Sequence, residues 1–208
     1  ALEDESSKSF VPPSITSAAV TAVNEDAGYS YSIIASDQDG DTITLSCNSG
    51  CSGTFLTFTD NGGGSGTLAG TPDNDDVGSQ AVVLRATANG DTSQQSFTIT
   101  ISNTNDAPVN TVPGAQSTDE DTNKAITGTS IADVDTGDIA ATTVTIAVTS
   151  GGVTLASTSG IIHSAGDGTD DATQTFAGSQ ADINTAIATL TYIPTANTNG
   201  VDTLTLTT

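Results

Sequence analysis

Short runs of alternating apolar and polar residues recur along the chain, and this pattern limits its fold more than any other feature. In the run Phe97–Ile101, phenylalanine and isoleucine alternate with threonine, which places the apolar side chains on one face of a β-strand. Turns rich in glycine and aspartate, such as Asp60–Gly64, separate the runs. Repeated short strands of this kind predict an all-β protein built from β-sandwiches.

One segment of the second half departs from the strand pattern. Ile183, Ile187 and Leu190 follow one another at helical spacing. Ser179 followed by Asp182 has the pattern of a helix N-cap with an acid in the first turn. The segment predicts one short helix lying over the second sandwich.

The chain of 208 residues suits two domains of about 100 residues each. Pro108 lacks an N–H group and cannot continue a central strand, so the strand pattern must break just after Phe97–Ile101. We therefore predict a flexible lead over residues 1–10, a first sandwich over 11–106 and a second over 107–208. The chain stops within an alternating run, and we expect it to be a piece of a longer protein.

The acidic balance of the chain restricts its partners. The net charge is −22, from 25 acidic residues against 3 basic ones. Such a chain has almost nothing with which to neutralise phosphates, so nucleic acid and anionic membranes are excluded as partners. No apolar run approaches the roughly 18 residues of a membrane span. The carboxylates are expected to bind cations, and halophilic adaptation is the alternative.

The two cysteines, Cys47 and Cys51, lie in a polar turn between predicted strands. Three roles are conceivable for them. A zinc site would need further Cys or His ligands nearby, and a nucleophilic cysteine would need a base, for which His163 is the only histidine. We expect a local disulfide, formed in an oxidising compartment.

Acidic clusters recur in both halves. Residues 24–26, Asn-Glu-Asp, are echoed by residues 119–121, Asp-Glu-Asp, and the Asp-x-Asp of residues 37–39 is echoed at 133–135. Repetition over about 100 residues indicates tandem domains, since solenoid repeats are about 20–50 residues long. Turns with carboxylate and carbonyl oxygens suit calcium. An EF-hand over residues 37–48 is excluded, because the glycine falls at the fourth position instead of the sixth and the twelfth position is Asn48 instead of glutamate.

The order of several motifs resembles a known family. The sequence around the break, Asn105-Asp106-Ala107-Pro108, looks like the calcium-binding linker of cadherin repeats. The first half is similar to bacterial dystroglycan-type cadherin-like domains, and the second resembles cadherin-like repeats of very large bacterial surface proteins. The motifs that carry these resemblances are Tyr29-Ser-Tyr31, Ala35–Asp41, Gly70-Thr-Pro72, Asp76-Val-Gly78, Leu84–Thr87, Asp119–Thr122, Ala132–Asp135, Ala181–Asn184, Leu190-Thr-Tyr192 and Asn197–Gly200.

The resemblance implies two tandem immunoglobulin-like or cadherin-like Greek-key β-sandwiches, the second with the short helix. It also implies a calcium site at the joint between the two sandwiches, with Glu25 among its ligands. Glu120 would be the counterpart of Glu25 in the second half. Asp76 competes with Asp75 for one ligand position. The implied calcium ligands are Glu25, Asp73, Asp75, Asp76, Asn103, Asn105, Asp106, Asp133 and Asp135.

Two departures from the family pattern weaken parts of this set. Ala88 stands where the family commonly has an aspartate, so an upper calcium site on Asp37 and Asp39 is expected to be weak or empty. Asn103 replaces an aspartate and lowers the charge of the linker. Fewer ions are therefore expected than at a full cadherin joint.

These observations favour a calcium-rigidified spacer or adhesive segment of a secreted or surface-exposed bacterial protein. Its partners would be neighbouring repeats of the same chain, with cell-surface glycans or another copy of the protein as further candidates. The alternative is a carbohydrate-binding module beside a polysaccharide-degrading enzyme, although sugar sites usually need exposed aromatic faces and only 4% of the residues are aromatic. We expect no enzyme, since acids on glycine-rich turns lack the cleft that perturbs a catalytic pKa.

Overall fold

The computed structural model describes residues 11–135 and 142–208. The predicted flexible lead, residues 1–10, lies outside the described residues. The chain divides into two compact units, Ala1–Thr104 and Asn105–Thr208. The predicted boundary between residues 106 and 107 lies just beyond this division.

The first unit is a sandwich of two four-stranded sheets, with strand orders β1-β3-β6-β5 and β2-β8-β7-β4. Its strands are β1 (Ser14–Ile15), β2 (Ala22–Asn24), β3 (Tyr29–Ser36), β4 (Ile43–Ser49), β5 (Leu56–Gly62), β6 (Ser65–Gly70), β7 (Gly78–Ala88) and β8 (Asp91–Ser102).

The core of this sandwich follows from the alternation in sequence. In β3, Tyr29, Tyr31 and Ile33 point inward and are at most 3% exposed, while the serines between them face solvent. Aromatic side chains contribute to this core, because Phe55 packs against Tyr29 and Phe97 against Tyr31 in edge-to-face contacts.

Strands β7 and β8 form the longest hairpin of the unit, paired from Gly78 and Ile101 at one end to Ala88 and Asp91 at the other. The two turn residues, Asn89 and Gly90, both have positive φ, at 45° and 96°. This is the backbone of a type I′ turn, whose twist matches that of the flanking strands.

The first two strands belong to different sheets, so the segment of residues 14–24 is divided between them. Strand β1 pairs antiparallel with β3, whereas β2 pairs parallel with β8 in the opposite sheet. The crossing is anchored at Ser17, whose carbonyl oxygen accepts hydrogen bonds from the side chains of Tyr31 and Gln95. These partners come from other strands, so the break is invisible in the local pattern.

The second unit contains three sheets, with strand orders β10-β16-β13, β11-β9 and β14-β15-β12-β17. Its strands are β9 (Val109–Thr111), β10 (Lys124–Ala125), β11 (Ser130–Ala132), β12 (Thr142–Val148), β13 (Gly152–Leu155), β14 (Ile161–Ala165), β15 (Thr173–Gly178), β16 (Leu190–Ile193) and β17 (Leu204–Thr207).

The predicted helix is confirmed as α1 (Gln180–Ile187). Ser179 is its N-cap and accepts a hydrogen bond from the backbone N–H of Asp182 over 3.2 Å. Ile183 and Ile187 are fully buried in the core of the second unit. None of the helices within the described ranges has the length and apolar character needed to cross a bilayer.

Candidate metal centre

Three segments of the first unit meet at one of its ends. The backbone N–H of Glu25, which directly follows β2, donates to the carbonyl oxygen of Ser102 over 3.0 Å. The next N–H, that of Asp26, donates to the carbonyl oxygen of Pro72 over 2.8 Å. These two bonds bring together the turn after β2, the loop after β6 and the end of β8.

The Glu25 side chain is the most unusual group at this end. It is only 2% exposed, and its Oε1 accepts a hydrogen bond from the backbone N–H of Thr104 over 2.5 Å. Its other oxygen, Oε2, is buried and has no hydrogen-bond partner among the described residues. Leaving a buried polar atom unpaired costs about 1–3 kcal/mol, and more for a charged group. A cation bound to Oε2 would remove this penalty.

The acids after Pro72 form a short 3₁₀ turn, Asn74–Asp76. Asp73 Oδ1 accepts from the N–H of Asp75 over 3.0 Å, and Asp76 Oδ2 accepts from the N–H of Asp73 over 3.2 Å. This reciprocal arrangement is a capping box. Asp73 and Asp76, both predicted ligands, thus stabilise the turn. The spacing of Asp73 and Asp76 in sequence is that of a capping box and could have predicted this role.

In the second unit, three predicted ligands lie in one chain of hydrogen bonds. The N–H of Asp106 donates to Asp135 Oδ2 over 2.5 Å, and the N–H of Asp135 donates to Asp133 Oδ1 over 3.0 Å. The N–H of Asp133 donates to the side chain of Gln180 in α1 over 3.0 Å. The helix therefore fixes the position of the Asp133–Asp135 turn, and Asp135 is only 8% exposed.

The remaining predicted linker ligands are at the surface. Asn103 and Asn105 are both exposed. The side-chain N–H of Asn105 donates to the carbonyl oxygen of Asp106 over 2.8 Å. The side-chain amide oxygen of Asn105 takes no part in this bond.

The two acidic turns that contain Glu25 and Glu120 resemble each other in backbone conformation as well as in sequence. Asp26 and Asp121 both have left-handed φ, at 59° and 56°, and each turn is closed by a backbone hydrogen bond, of 3.3 and 3.2 Å. The side chains differ, because Glu25 is buried whereas Glu120 is exposed. The two turns share their local conformation, and burial distinguishes their glutamates.

Asp37 and Asp39 lie in a second acidic cluster of the first unit, together with Asp41. One carboxylate oxygen from each lies within 4.8 Å of the others. Asp37 Oδ1 accepts from the N–H groups of Asp39 and Asp41, over 2.9 and 3.1 Å, so it also shapes the turn. Ala88 contributes no side-chain oxygen. The predicted upper site named Asp37 and Asp39 without Asp41, although the Asp-x-Asp-x-Asp spacing indicates it.

A further carboxylate that the sequence analysis missed is Asp202 in the second unit. Its Oδ2 accepts from the hydroxyl of Tyr192 over 2.7 Å. Partial burial acts to raise its pKa, but hydrogen bonds from the Thr149 and Tyr192 side chains and two backbone N–H groups hold the pKa below its ordinary value of 3.8. Burial, followed by the bond to Asp202, raises the pKa of Tyr192 to about 12.

No nucleophile–base pair is formed by the residues that the structure describes. Both ring nitrogens of His163 are buried without a hydrogen-bond partner, and its ring packs against Phe176 at 5.5 Å. Cys47 and Cys51 are joined in a disulfide with a Cα–Cα distance of 6.3 Å. Neither group is arranged for covalent catalysis.

Residues 12–102 match a family model described as "Putative Ig domain". The match covers nearly the whole of the first unit and less than half of the chain, and the fold of this unit is an immunoglobulin-like β-sandwich. A search of curated proteins finds no match to the chain.

Several solved structures are similar at low sequence identity. The SrpA adhesin from Streptococcus sanguinis is 16% identical, with 50% of this chain and 65% of that chain covered and a TM-score of 0.36. An endo-fucoidan hydrolase of glycoside hydrolase family 107 is 19% identical, with 81% and 24% covered and a TM-score of 0.40. Protocadherin Gamma B7 extracellular cadherin domains 1–4 are 15% identical, with 81% and 41% covered and a TM-score of 0.41. The chain spans less than two thirds of each of these proteins. At these scores we draw no conclusion about function from the likenesses.

Proposed function

We propose that the chain is a calcium-binding tandem cadherin-like module that serves as a calcium-rigidified spacer or adhesive segment of a large secreted or surface bacterial protein. The observation that carries the proposal is that Glu25 Oε2 is buried and that no residue within 11–135 or 142–208 forms a hydrogen bond with it. Oxygen ligands with negative charge are those that Ca²⁺ prefers. Glu25 fits this requirement, because it is fixed by Thr104 through one oxygen and offers the other.

The proposed ligand set combines residues of both units. The first unit would contribute Glu25, Asp73, Asp75 or Asp76, and Asn103. The second would contribute Asn105, Asp106, Asp133 and Asp135, as the resemblance to cadherin linkers implies. Two carboxylates about 4 Å apart repel by about 4 kcal/mol at an effective dielectric constant of 20, so a shared cation would turn repulsion into attraction. The Cys47–Cys51 disulfide supports an oxidising, extracellular location.

Replacing Glu25→Gln tests the proposal. Glutamine keeps an oxygen that accepts from the Thr104 N–H but removes the buried negative charge. We expect the parent chain to gain about 1.4 kcal/mol of unfolding free energy when calcium is raised to ten times its dissociation constant, and the variant to lose most of this gain. In chelator, the variant should be at least as stable as the parent, because the uncompensated buried charge is gone.

Thermal unfolding and isothermal titration calorimetry, each with calcium and with chelator, would measure these effects. Asp167→Asn is the matched control. Asp167 is an exposed acid of the second unit whose Oδ1 accepts from the Thr169 N–H, a role that asparagine retains. Loss of calcium binding in Asp167→Asn, or unchanged binding in Glu25→Gln, would contradict the proposal.

The carbohydrate-binding alternative finds no support in the described aromatic residues. Tyr29, Tyr31 and Phe176 are at most 3% exposed. The others within the described ranges pack against one of the two cores, and they are Phe55, Phe58, Phe97 and Tyr192. A flat exposed ring on which a sugar could stack is therefore missing from this part of the chain.

A further inference from the structure

Strand β11 pairs with β9 on one side, and on its other side it is held by side chains of helix α1. Asn184 Oδ1 accepts from the backbone N–H of Ile131 over 2.8 Å, and the side-chain N–H of Asn184 donates to the Ile131 carbonyl oxygen over 2.9 Å. One helical turn earlier, Gln180 Oε1 accepts from the N–H of Asp133 over 3.0 Å. Two side-chain amides, together called the amide clamp below, thus bond this edge of β11 as a neighbouring strand would.

The spacing of the amide clamp matches the spacing of the strand. Gln180 and Asn184 are four residues apart, so they project from the same face of the helix and lie about 6 Å apart along its axis. Backbone groups two residues apart on one edge of a strand, such as those of Ile131 and Asp133, are separated by about 6.8 Å. The later clamp residue bonds the earlier strand residue, so the helix runs antiparallel to the strand and both bonds can form at once.

The helix that carries the amide clamp is itself fixed in the core of the second unit. Ile183 and Ile187 are 0% exposed. Gln180 and Asn184 are half-buried beside them. The clamp therefore projects from a firmly packed support, and it can hold the backbone that it contacts in one position.

The clamped edge leads directly into the acids of the second unit. The bond from Asp133 to Gln180 uses the backbone N–H, so it fixes the peptide from which the Asp133 side chain projects. Asp133 Oδ1 accepts from the N–H of Asp135, and Asp135 Oδ2 accepts from the N–H of Asp106. A chain of hydrogen bonds thus runs from the helix through three of the proposed calcium ligands.

We propose that Gln180 and Asn184 are positioning residues of the calcium site, through which calcium binding at Asp133 and Asp135 is coupled to the docking of α1. This inference rests on the proposed calcium-binding function. Groups that hold metal ligands in place typically contribute about 10–100-fold to metal affinity. Coupling is reciprocal, so calcium strengthens the docking of α1 by the same factor by which the clamp strengthens calcium binding.

Replacing Gln180→Met in the full chain tests the inference. Methionine is an unbranched residue with a high helix propensity, but its sulfur is only a weak acceptor. We expect the calcium dissociation constant, measured by isothermal titration calorimetry, to rise about tenfold. Gln180→Glu keeps an oxygen that can accept from Asp133, and it should bind calcium at least as tightly as the parent chain.

Thr185→Ala is the matched control on the same helix. Thr185 is exposed, and its hydroxyl donates to the carbonyl oxygen of Ala181 within α1. Its replacement should leave the calcium dissociation constant unchanged. Asn184→Ala removes two hydrogen bonds and should weaken calcium binding at least as much as Gln180→Met, which decides alone if Asn184→Ala does not fold.

Amide exchange measures the coupling from the side of the helix. In chelator, the N–H of Asp133 should exchange about tenfold faster in Gln180→Met than in the parent chain. Calcium should slow exchange of the Ile131 N–H, which donates to Asn184, in the parent chain. In Gln180→Met this slowing should be about tenfold smaller.

Three outcomes would overturn the inference. If Gln180→Met binds calcium as tightly as the parent chain, the clamp only stabilises the fold, and the calcium proposal stands without it. Equal weakening in Gln180→Met and Gln180→Glu would show that the acceptor oxygen is not what matters. Absence of calcium binding in the parent chain would contradict the proposed function itself, and this inference with it.

Discussion

Glu25 and Asp202 show that the surroundings of a carboxylate decide its role. Glu25 Oε2 is buried and has no hydrogen-bond partner in the described part of the chain, whereas Asp202 Oδ1 accepts from the backbone N–H groups of Thr149, Ser150 and Thr203 over 2.8–3.1 Å. Both residues lie in acidic or glycine-containing turns, so the sequence does not distinguish them. The number of donors around each group distinguishes Asp202, which several donors hold in place, from Glu25, which we propose as a cation ligand.

Removing the charge of Asp202 should weaken the second unit in a pH-dependent way. The pKa of Asp202 is lowered on folding, so the carboxylate contributes stability above its unfolded pKa of about 3.9 and this contribution is lost as the pH falls through the folded pKa. Asp202→Asn should lower the unfolding free energy by about 1 kcal/mol at pH 7. Below about pH 3 the difference from the parent should shrink.

Thermal unfolding in chelator between pH 2 and pH 7 would measure this effect, with Asp167→Asn as the control for loss of an exposed charge. The hydroxyl of Tyr192 stays protonated throughout, because its pKa is raised to about 12. A difference that is constant over the whole range would contradict the assigned role of Asp202.

At the scale of elements, the sequence predicts long alternating strands and fails on short or interrupted ones. Strand β8, which contains the run Phe97–Ile101, and helix α1 were predicted because their periodicity runs over several residues. Strands β9 and β11 were missed, since each has three residues and too little alternation to recognise. Their pairing with each other depends on contacts across about 20 residues of sequence, which no local pattern encodes.

The Cys47–Cys51 disulfide closes a small loop at the end of β4, and its removal should have a limited effect. The chain-entropy estimate for a loop of this length is about 2 kcal/mol. Replacing both cysteines with serine should therefore lower the melting temperature of the first unit by about 8 °C, and by no more than about 16 °C.

Reduction of the parent chain should reproduce the shift, and the double serine variant should not respond to reductant. Calorimetry with and without reductant would check both points. A shift confined to the second unit would contradict the prediction, because both cysteines pack against the first core.

At the scale of the whole molecule, the net charge of −22 means that the acidic residues repel one another. A bound cation would reduce this repulsion in addition to its contacts with local ligands. The sequence indicated which acids recur in both units. It could not show that Glu25 is buried and Glu120 exposed, because burial depends on the packing of distant segments. The capping role of Asp73 and Asp76, in contrast, could have been predicted from their spacing in sequence.

If calcium stiffens the connection between the units, small-angle scattering should detect it. We expect the scattering curve of the parent chain to differ between calcium and chelator. Asp106→Ala should abolish most of the difference. This variant keeps the backbone N–H that donates to Asp135, so it removes only the side chain.

Asp167→Asn should retain the calcium-dependent change in scattering. Identical curves for the parent chain in calcium and in chelator would count against the spacer function. A difference of equal size in Asp106→Ala would show that its carboxylate is not a ligand.

The parallel pairing of β2 with β8 has a mechanical consequence. These strands lie near the two ends of the first unit, and three residues of each are in register, from Ala22 and Thr100 to Asn24 and Ser102. Once the two-residue β1 has detached, tension applied through the two ends would pull β2 and β8 in opposite directions along their length. Their hydrogen bonds would then bear the load together in shear instead of opening one after another, so the first unit is built to resist extension along the chain.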